Sequence, residues 1–365
     1  MITDLRGALL PHLERLVGFD TRNPPRVIDG GGLFAYLRAQ LPPDVTVDLQ
    51  DLGEGCVYLL ARRGNPALLI NVHVDTVPAA PGWSRDPLKL HVEGERVVGL
   101  GACDIKGAAA ALLAVLPTLR GDFALLFSSD EEAGQSRCVR DFIRRHGAPS
   151  RVLVAEPTRC TAVSVHRGIA TALGTFRGVP GHASSARALQ DNALHELVRW
   201  SSRALTWAEG QDARELAGLR GVRLNLGVVE GGTKPNMIAG EARVRFGIRP
   251  PPGRAPLEVM QEAWALTPDA TRVTWEPGFL APPLPAPQQP LEDALRTARR
   301  MARELDLREG SAVDFWTEAA LFSEAGSVAL VYGPGDIAQA HTADEWVRTD
   351  ELVEAARTYA RILNG

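Results

Sequence analysis

The chain has 365 residues, 40 Lys and Arg against 44 Asp and Glu for a net charge of −4, with 45% hydrophobic and 23% charged residues. This composition excludes a disordered, collagenous or coiled-coil chain, and it argues against a binder of nucleic acid or of anionic membrane surfaces. At about 100–200 residues per domain the length fits two domains, large enough to bury a core without disulfide or metal staples. The first element is a helix, because Leu5, Leu9, Leu13 and Leu16 recur at helical spacing and the pattern ends near Gly18, before Asn23-Pro24-Pro25. The opening Met-Ile-Thr-Asp-Leu-Arg has an early acid and no apolar core, so no signal peptide is expected. Strands are expected over 45–49, 57–62 and 67–74, the last almost continuously apolar, as a strand buried on both faces is. A helix over 108–119, a strand over 122–129, a helix over 139–146 and a strand over 152–155 follow. The longest apolar run stops at Pro117, far short of the roughly 20 residues of a membrane span. Strands alternating with helices indicate an α/β fold on a mainly parallel sheet flanked by helices.

The texture changes after about residue 163. Strands are expected over 171–176, 223–228, 241–248 and 271–275, with a helix over 192–208. The third of these strands alternates strictly at Ala242, Val244, Phe246 and Ile248, which marks a sheet with one buried and one open face. The Pro-rich stretch 277–290 reads as a linker. A helix over 291–305, a strand over 328–331 and a closing helix over 350–363 complete the chain. The expected organisation is a discontinuous domain, 1–163 and 277–365, interrupted by an inserted α+β domain, 164–276. The cysteines Cys56, Cys103, Cys138 and Cys160 are scattered, with no C-x-x-C pair. They read as small packed residues of a reducing compartment, which points to the cytoplasm.

The residues capable of chemistry gather where apolar strands end. His73 and Asp75 follow the run 68–72. Asp104 lies in a Gly-rich turn before a helix. Asp130, Glu131 and Glu132 end one strand and Glu156 ends another. In open α/β sheets ligands bind outside the carboxyl ends of strands. A lone acid in such a place is ordinarily a cap or a solvated turn. Several on one edge repel one another unless a cation joins them. Histidine and carboxylate donors without cysteine suit a hydrolytic zinc, cobalt or manganese site. A carboxylate can bridge two ions about 3.5–4 Å apart, and a free carboxylate beside them can take a proton from water.

Seven stretches in order then carry a resemblance: His73-Val-Asp75-Thr-Val-Pro78, Gly101-Ala-Cys-Asp104-Ile-Lys-Gly107, Ser129-Asp-Glu-Glu132-Ala-Gly134, Ala155-Glu156-Pro-Thr158, Gly181-His182-Ala-Ser184, Gly231-Gly-Thr-Lys-Pro-Asn236 and Ala340-His341-Thr-Ala-Asp344-Glu345. The chain resembles the co-catalytic metallopeptidase family that includes acetylornithine deacetylase, succinyl-diaminopimelate desuccinylase and carboxypeptidase G. The resemblance implies two divalent metal ions, zinc or cobalt. It assigns His73 and Glu156 to one, Glu132 and His341 to the other, and Asp104 to both. It implies Glu131 as general base and Asp75 as the carboxylate that orients the His73 ring. It also implies a cis peptide between Asp104 and Ile105. It makes 1–163 and 277–365 a metal-binding catalytic domain and gives the inserted domain, 164–276, the role of lid and dimerisation domain. From the inserted domain it implies His182 at the substrate's oxyanion, and Asn236 and Arg249 at the substrate carboxylate.

The implied activity is removal of an acetyl group from a small-molecule N-acetyl amino acid. Within the family the likeness is nearest to the branch acting on N-acetylcitrulline in arginine synthesis. N-acetylornithine deacetylation, desuccinylation and dipeptide hydrolysis are the alternatives, and a non-catalytic metal- or peptide-binding relative is the alternative of another class. No nucleic-acid or membrane partner is expected, and a homodimer through the inserted domain is. The chain departs from the family at Phe315-Trp-Thr-Glu-Ala319, beside the expected substrate pocket, where Glu318 stands for a family Asp. A dinucleotide-binding reading of Gly99-x-Gly101 meets Asp104 where the third glycine belongs, and a carboxylate there repels a pyrophosphate. No Gly-x-Ser-x-Gly nucleophile elbow is present. Cys103, next to Asp104, reads as packing and not as a ligand.

Overall fold

The computed structural model describes residues 4–25 and 27–364. Its contacts divide the chain into two units, one of Met1–Ser164, Ala294–Gly310 and Thr317–Gly365, the other of Val165–Asp293 and Ser311–Trp316.

The first unit is built on a six-stranded sheet in the order Thr46–Asp51, Val57–Arg63, Phe123–Ser128, Leu68–His73, Arg151–Val154, Val328–Val331. The last four strands run parallel, and the first two add an antiparallel edge. Phe123–Ser128 is buried along its whole length, which is why its sequence is apolar without alternation. His73 lies opposite Ser128, and Asn71 opposite Val154, so the parallel strands end level with one another.

The helix Gly107–Val115 is made almost wholly of alanine and leucine, and all of it is buried. It packs between the helices Leu5–Val17 and Thr349–Asn364. Small side chains permit that close approach. A Cβ on Gly107 would lie 2.5 Å from the Ala102 carbonyl oxygen and 2.8 Å from Leu352 Cδ2. The helix stops at Val115, earlier than the sequence pattern suggests, and a single tighter turn at Leu116–Thr118 accommodates Pro117. The first helix starts on Asp4, whose carboxylate accepts the Gly7 N–H at 2.8 Å.

The second unit holds an antiparallel sheet in the order Arg223–Gly231, Glu241–Arg249, Ile169–Arg177, Val273–Ala281. The helices Ala193–Gln211 and Pro256–Trp264 pack on it. Ala242, Val244, Phe246 and Ile248 turn to the buried side, as their alternation requires. Trp200 is the centre of this core. Its ring lies 4.9 Å from both Phe246 and Trp275, and its Nε1–H donates to the Ala263 carbonyl at 2.9 Å. Asn192 caps the longer helix by accepting the Leu194 N–H at 3.0 Å.

Pro277 is not in a linker. The last strand runs through it to Ala281, with a register shift between Pro277 and Leu280, since proline cannot donate to the ladder and is tolerated at an edge bulge. The helices Gly32–Ala39, Pro256–Trp264 and Ala319–Glu324 are additions to the elements expected from sequence; each is too short for its periodicity to stand out. All four cysteines are buried, and no disulfide joins them. Among the described residues no helix is long and apolar enough to cross a membrane.

Candidate metal centre

Topology alone brings most of the acidic residues together. His73 is the last residue of its strand, and Asp75 follows two positions on. Glu131 and Glu132 follow the strand Phe123–Ser128, and Glu156 follows Arg151–Val154. Because these strands are parallel and end level, their carboxyl ends deliver the side chains to one edge of the sheet. Asp104 reaches that edge from the irregular turn Ala102–Lys106, where the Asp104–Ile105 peptide is cis. His341 arrives from a loop near the C-terminus, in the left-handed backbone region with φ of 60°.

The ligand atoms form two groups with one shared member. His73 Nε2 lies 3.0 Å from Asp104 Oδ1 and 3.7 Å from Glu156 Oε1. His341 Nε2 lies 2.9 Å from Glu132 Oε1 and 3.4 Å from Asp104 Oδ2. Within each trio, His73–Asp104–Glu156 and Asp104–Glu132–His341, the candidate ligand atoms are all within 4.8 Å of one another. The two oxygens of Asp104 therefore face different histidines, the geometry of a bridging carboxylate. Imidazole and carboxylate donors with no thiolate suit zinc, cobalt or manganese.

The charges fit the same reading. Burial, with Asp104 and Glu132 adding repulsion and His73 opposing, pushes the Glu156 carboxyl up to about 7. Burial and then the neighbouring Glu132 and Glu156 drive Glu131 well above the usual carboxylate range. Hydrogen bonds that the Asp104 and Glu132 carboxylates accept from its ring raise His341 to about 10. Burial works against protonation of His73, but Glu156, Asp104 and Asp75 outweigh it and raise its pKa. The cluster demands positive charge. Divalent cations held by these residues would supply it and would take the place of the imidazole protons, since ligand nitrogens and oxygens must be deprotonated.

Supporting groups surround the trios. The His73 Nδ1 meets the backbone carbonyl of Asp75 at 3.2 Å, with the Asp75 carboxylate at 3.4 Å. That carboxylate also accepts the backbone N–H of Glu132 at 3.1 Å and the Asn23 amide at 3.3 Å. Asp75 thus ties the two trios together through the backbone as well as the ring, a link that spacing in the sequence does not announce. Asp130 turns away from the centre and accepts backbone N–H groups of Arg137 and Cys138, which fixes the start of the following helix. Glu318 is buried, 1% exposed, with its carboxylate accepting the Ser128 hydroxyl at 2.9 Å. Burial, Asp130 and Asp75 raise it to about 8. Its carboxylate thus meets the last residue of the strand Phe123–Ser128. Cys103 donates to the Asp336 carbonyl at 3.3 Å and belongs to neither trio.

In the second unit, His182 and Asn236 meet on a short ladder in which His182 pairs with Met237 and the Ala183 N–H donates to the Asn236 carbonyl at 3.0 Å. The His182 ring is exposed and contacts the Ser184 hydroxyl at 2.7 Å. Arg249 lies elsewhere in that unit. It lines a groove of about 620 Å³ on the open sheet face, together with Arg223, Arg245, Asn225 and Glu276.

Residues 69–365 match Peptidase family M20/M25/M40. The chain is 50% identical over 366 residues, covering 100% of both sequences, to N-acetyl-L-citrulline deacetylase of Xanthomonas campestris pv. campestris. It is 31% identical to acetylornithine deacetylase of Myxococcus xanthus, covering 99% of this chain and 98% of that protein. Among solved structures it is similar in fold to an M20 family metallo-carboxypeptidase from Sulfolobus solfataricus, with a TM-score of 0.75, 17% identity and 98% of each chain covered. A dinuclear metal binding peptidase of the M20 family from Bacillus subtilis superposes with a TM-score of 0.69 at 13% identity, over 98% of this chain and 97% of that one.

Proposed function

The chain belongs to Peptidase family M20/M25/M40, and from that membership we propose that it hydrolyses the acetyl amide of N-acetyl-L-citrulline, releasing acetate and the free amino acid. The full-length 50% identity to a deacetylase of that substrate is the observation that carries the choice of substrate. The two-faced placement of Asp104 between His73 and His341 carries the chemistry.

In this reading His73 and Glu156 would hold one divalent cation, Glu132 and His341 would hold a second, and Asp104 would serve both. Zinc or cobalt is the metal of this reading, both being among those that imidazole and carboxylate donors suit. Cations held there would acidify water and polarise the acyl carbonyl. Glu131 takes the proton from the attacking water and returns it to the leaving amine, the work of a carboxyl whose pKa is raised above its usual range. Asp75 keeps the His73 ring oriented and the Glu132 backbone in place. His182 is assigned to the carbonyl oxygen as charge develops there, and Asn236 and Arg249 to the substrate carboxylate, which a guanidinium fork matches. The chain is placed in arginine synthesis in the cytoplasm. It pairs as a homodimer through the second unit, whose helix Ala193–Gln211 exposes Val198 and Leu205 and whose edge strand exposes Val229.

The test is amine release from N-acetyl-L-citrulline, N-acetylornithine and N-succinyl-diaminopimelate by metal-stripped protein, with and without added zinc or cobalt. Metal-dependent turnover is expected, with N-acetyl-L-citrulline preferred. A preference for N-acetylornithine, to which the 31% identity to the Myxococcus enzyme lends support, would keep the chemistry and change the substrate. Failure of all three in metal-loaded protein would sink the deacetylase reading. Sedimentation of the same preparation as a monomer would remove the homodimer.

A further inference from the structure

The two candidate half-sites share Asp104, so their spacing depends on how firmly the backbone of the turn carrying it is held. That turn is irregular. Gly101 has φ of 77°, Asp104 has φ of −121° and ψ of 87°, and Ile105 has φ of −141° and ψ of 27°. Such backbone does not satisfy its own N–H groups as a helix does. Three of them instead converge on one buried carboxylate. Glu345 is 2% exposed; its Oε2 accepts the Gly101 N–H at 3.0 Å, and its Oε1 accepts the N–H groups of Cys103 at 2.8 Å and Asp104 at 3.0 Å. The Glu345 backbone carbonyl accepts the Gly99 N–H at 3.0 Å, just ahead of the turn.

The segment that supplies this carboxylate is also the one that supplies His341, four residues earlier. It is anchored on both sides of Glu345. Asp344, with φ of 54°, accepts the Ser84 N–H at 3.0 Å, and the strand Trp346–Arg348 pairs with Arg96–Val98 immediately after Glu345. One segment therefore presents a ligand of its own and grips the backbone of the ligand it must share a cation with. The two oxygens of one carboxylate thus satisfy three backbone donors that the irregular turn leaves without partners of its own.

We infer that Glu345 is a positioning residue that sets the spacing of the two metal half-sites, by locking the Asp104 backbone to the segment bearing His341. The inference rests on the two-cation reading of the site. It makes a specific demand: loosening Glu345 should weaken the cation shared by Asp104, Glu132 and His341 in particular, and should slow turnover without changing recognition of the substrate.

The experiment compares the wild-type chain with Glu345→Gln and Glu345→Ala, and with His341→Ala, which marks the zinc site that His341 serves. Thr349→Val is the control, because it removes hydroxyl bonds to Glu95 in the adjoining segment without touching the Asp104 turn. Each protein is titrated with zinc against a chelator of known affinity, and kcat and KM are measured on zinc-loaded protein below its melting temperature. In E345Q the zinc site that His341→Ala also weakens should lose affinity by about 10–100-fold, with the other site much less changed. kcat should fall by at least about tenfold, with KM within about threefold. E345A should show the same pattern more strongly, and if it does not fold, E345Q decides. T349V should lower the melting temperature and leave zinc affinity and kcat as in the wild type. E345Q with wild-type zinc affinities and kcat, whatever its melting temperature, overturns the inference while leaving the two-cation reading intact. A wild-type chain that binds fewer than two zinc ions overturns both.

Discussion

Glu131 and Glu132 are adjacent, chemically identical and differently employed. Glu132 points an oxygen at His341, and its backbone N–H is tied to Asp75. Glu131 belongs to neither ligand trio, yet burial and the neighbouring carboxylates raise its pKa strongly. A group that must take a proton and then return it is most effective when its pKa approaches the operating pH. Replacing Glu131 with Gln preserves shape and removes the proton-accepting oxygen. The expected result is a chain that still binds two cations, with kcat reduced by about 10²–10⁴-fold. Wild-type turnover in E131Q, measured alongside its metal content, would take Glu131 out of proton transfer. At this scale the doubled acid is legible in the sequence as one ligand and one base. Which acid takes which part comes from the family resemblance, and the geometry of His341 and Asp75 gives the assignment a physical basis.

At the scale of elements, the strands that carry the centre were the easiest to read, because strands buried on both faces need unbroken apolar runs. The second unit's sheet was read from alternation at Ala242, Val244, Phe246 and Ile248, but its last strand was cut short because Pro277 suggests an ending. A bulge at the sheet edge allows the strand to continue through it. Packing also demands a residue that local pattern leaves unexplained. Gly174 lies in a strand directly under Trp275, and a Cβ there would sit 2.2 Å from Trp275 Cζ3. The indole has little room to retreat, since it stacks on Trp264 and meets Phe176 and Phe246 edge-on. Gly174→Ala is expected to destabilise the protein by about 1–3 kcal/mol through overpacking. Chemical denaturation measures this, and a variant as stable as the wild type would show that the tryptophan cluster yields freely.

For the whole molecule, the assembled charges predict a pH-dependent linkage between metal and stability. In the metal-free chain the Glu156 carboxyl is raised from 4.5 to about 7, so the folded state keeps a proton that the unfolded state releases across that interval. Stability from this group is complete below the lower value and is lost as pH rises through the upper one. His341, raised from 6.5 to about 10 by Asp104 and Glu132, shifts stability in the same direction at higher pH. Bound cations replace these protons, and their affinity grows as the ligands deprotonate. The difference in melting temperature between metal-loaded and chelator-treated protein should therefore be larger at about pH 8 than at about pH 5. Calorimetric scans at the two pH values test this; an equal difference would mean that the cluster's protons are not linked to metal binding.

The sequence by itself determined the fold class, because apolar periodicity is local and buried parallel strands have no other way to be written. It also put His73, Asp75, Asp104, Glu131, Glu132 and Glu156 at strand ends or in a turn, whereas His341 came into view only through the family resemblance. Only the tertiary structure decided how those donors are held. Asp75 reaching the Glu132 backbone, Glu318 turning inward to Ser128, and Glu345 gathering three N–H groups from a turn more than 240 positions away are contacts between distant segments. A carboxylate carries no mark of whether it will meet water, a cation or an orphaned backbone donor. That is decided by where the sheet and its parallel crossovers bring the chain, and by the cost of leaving a buried polar group unpaired.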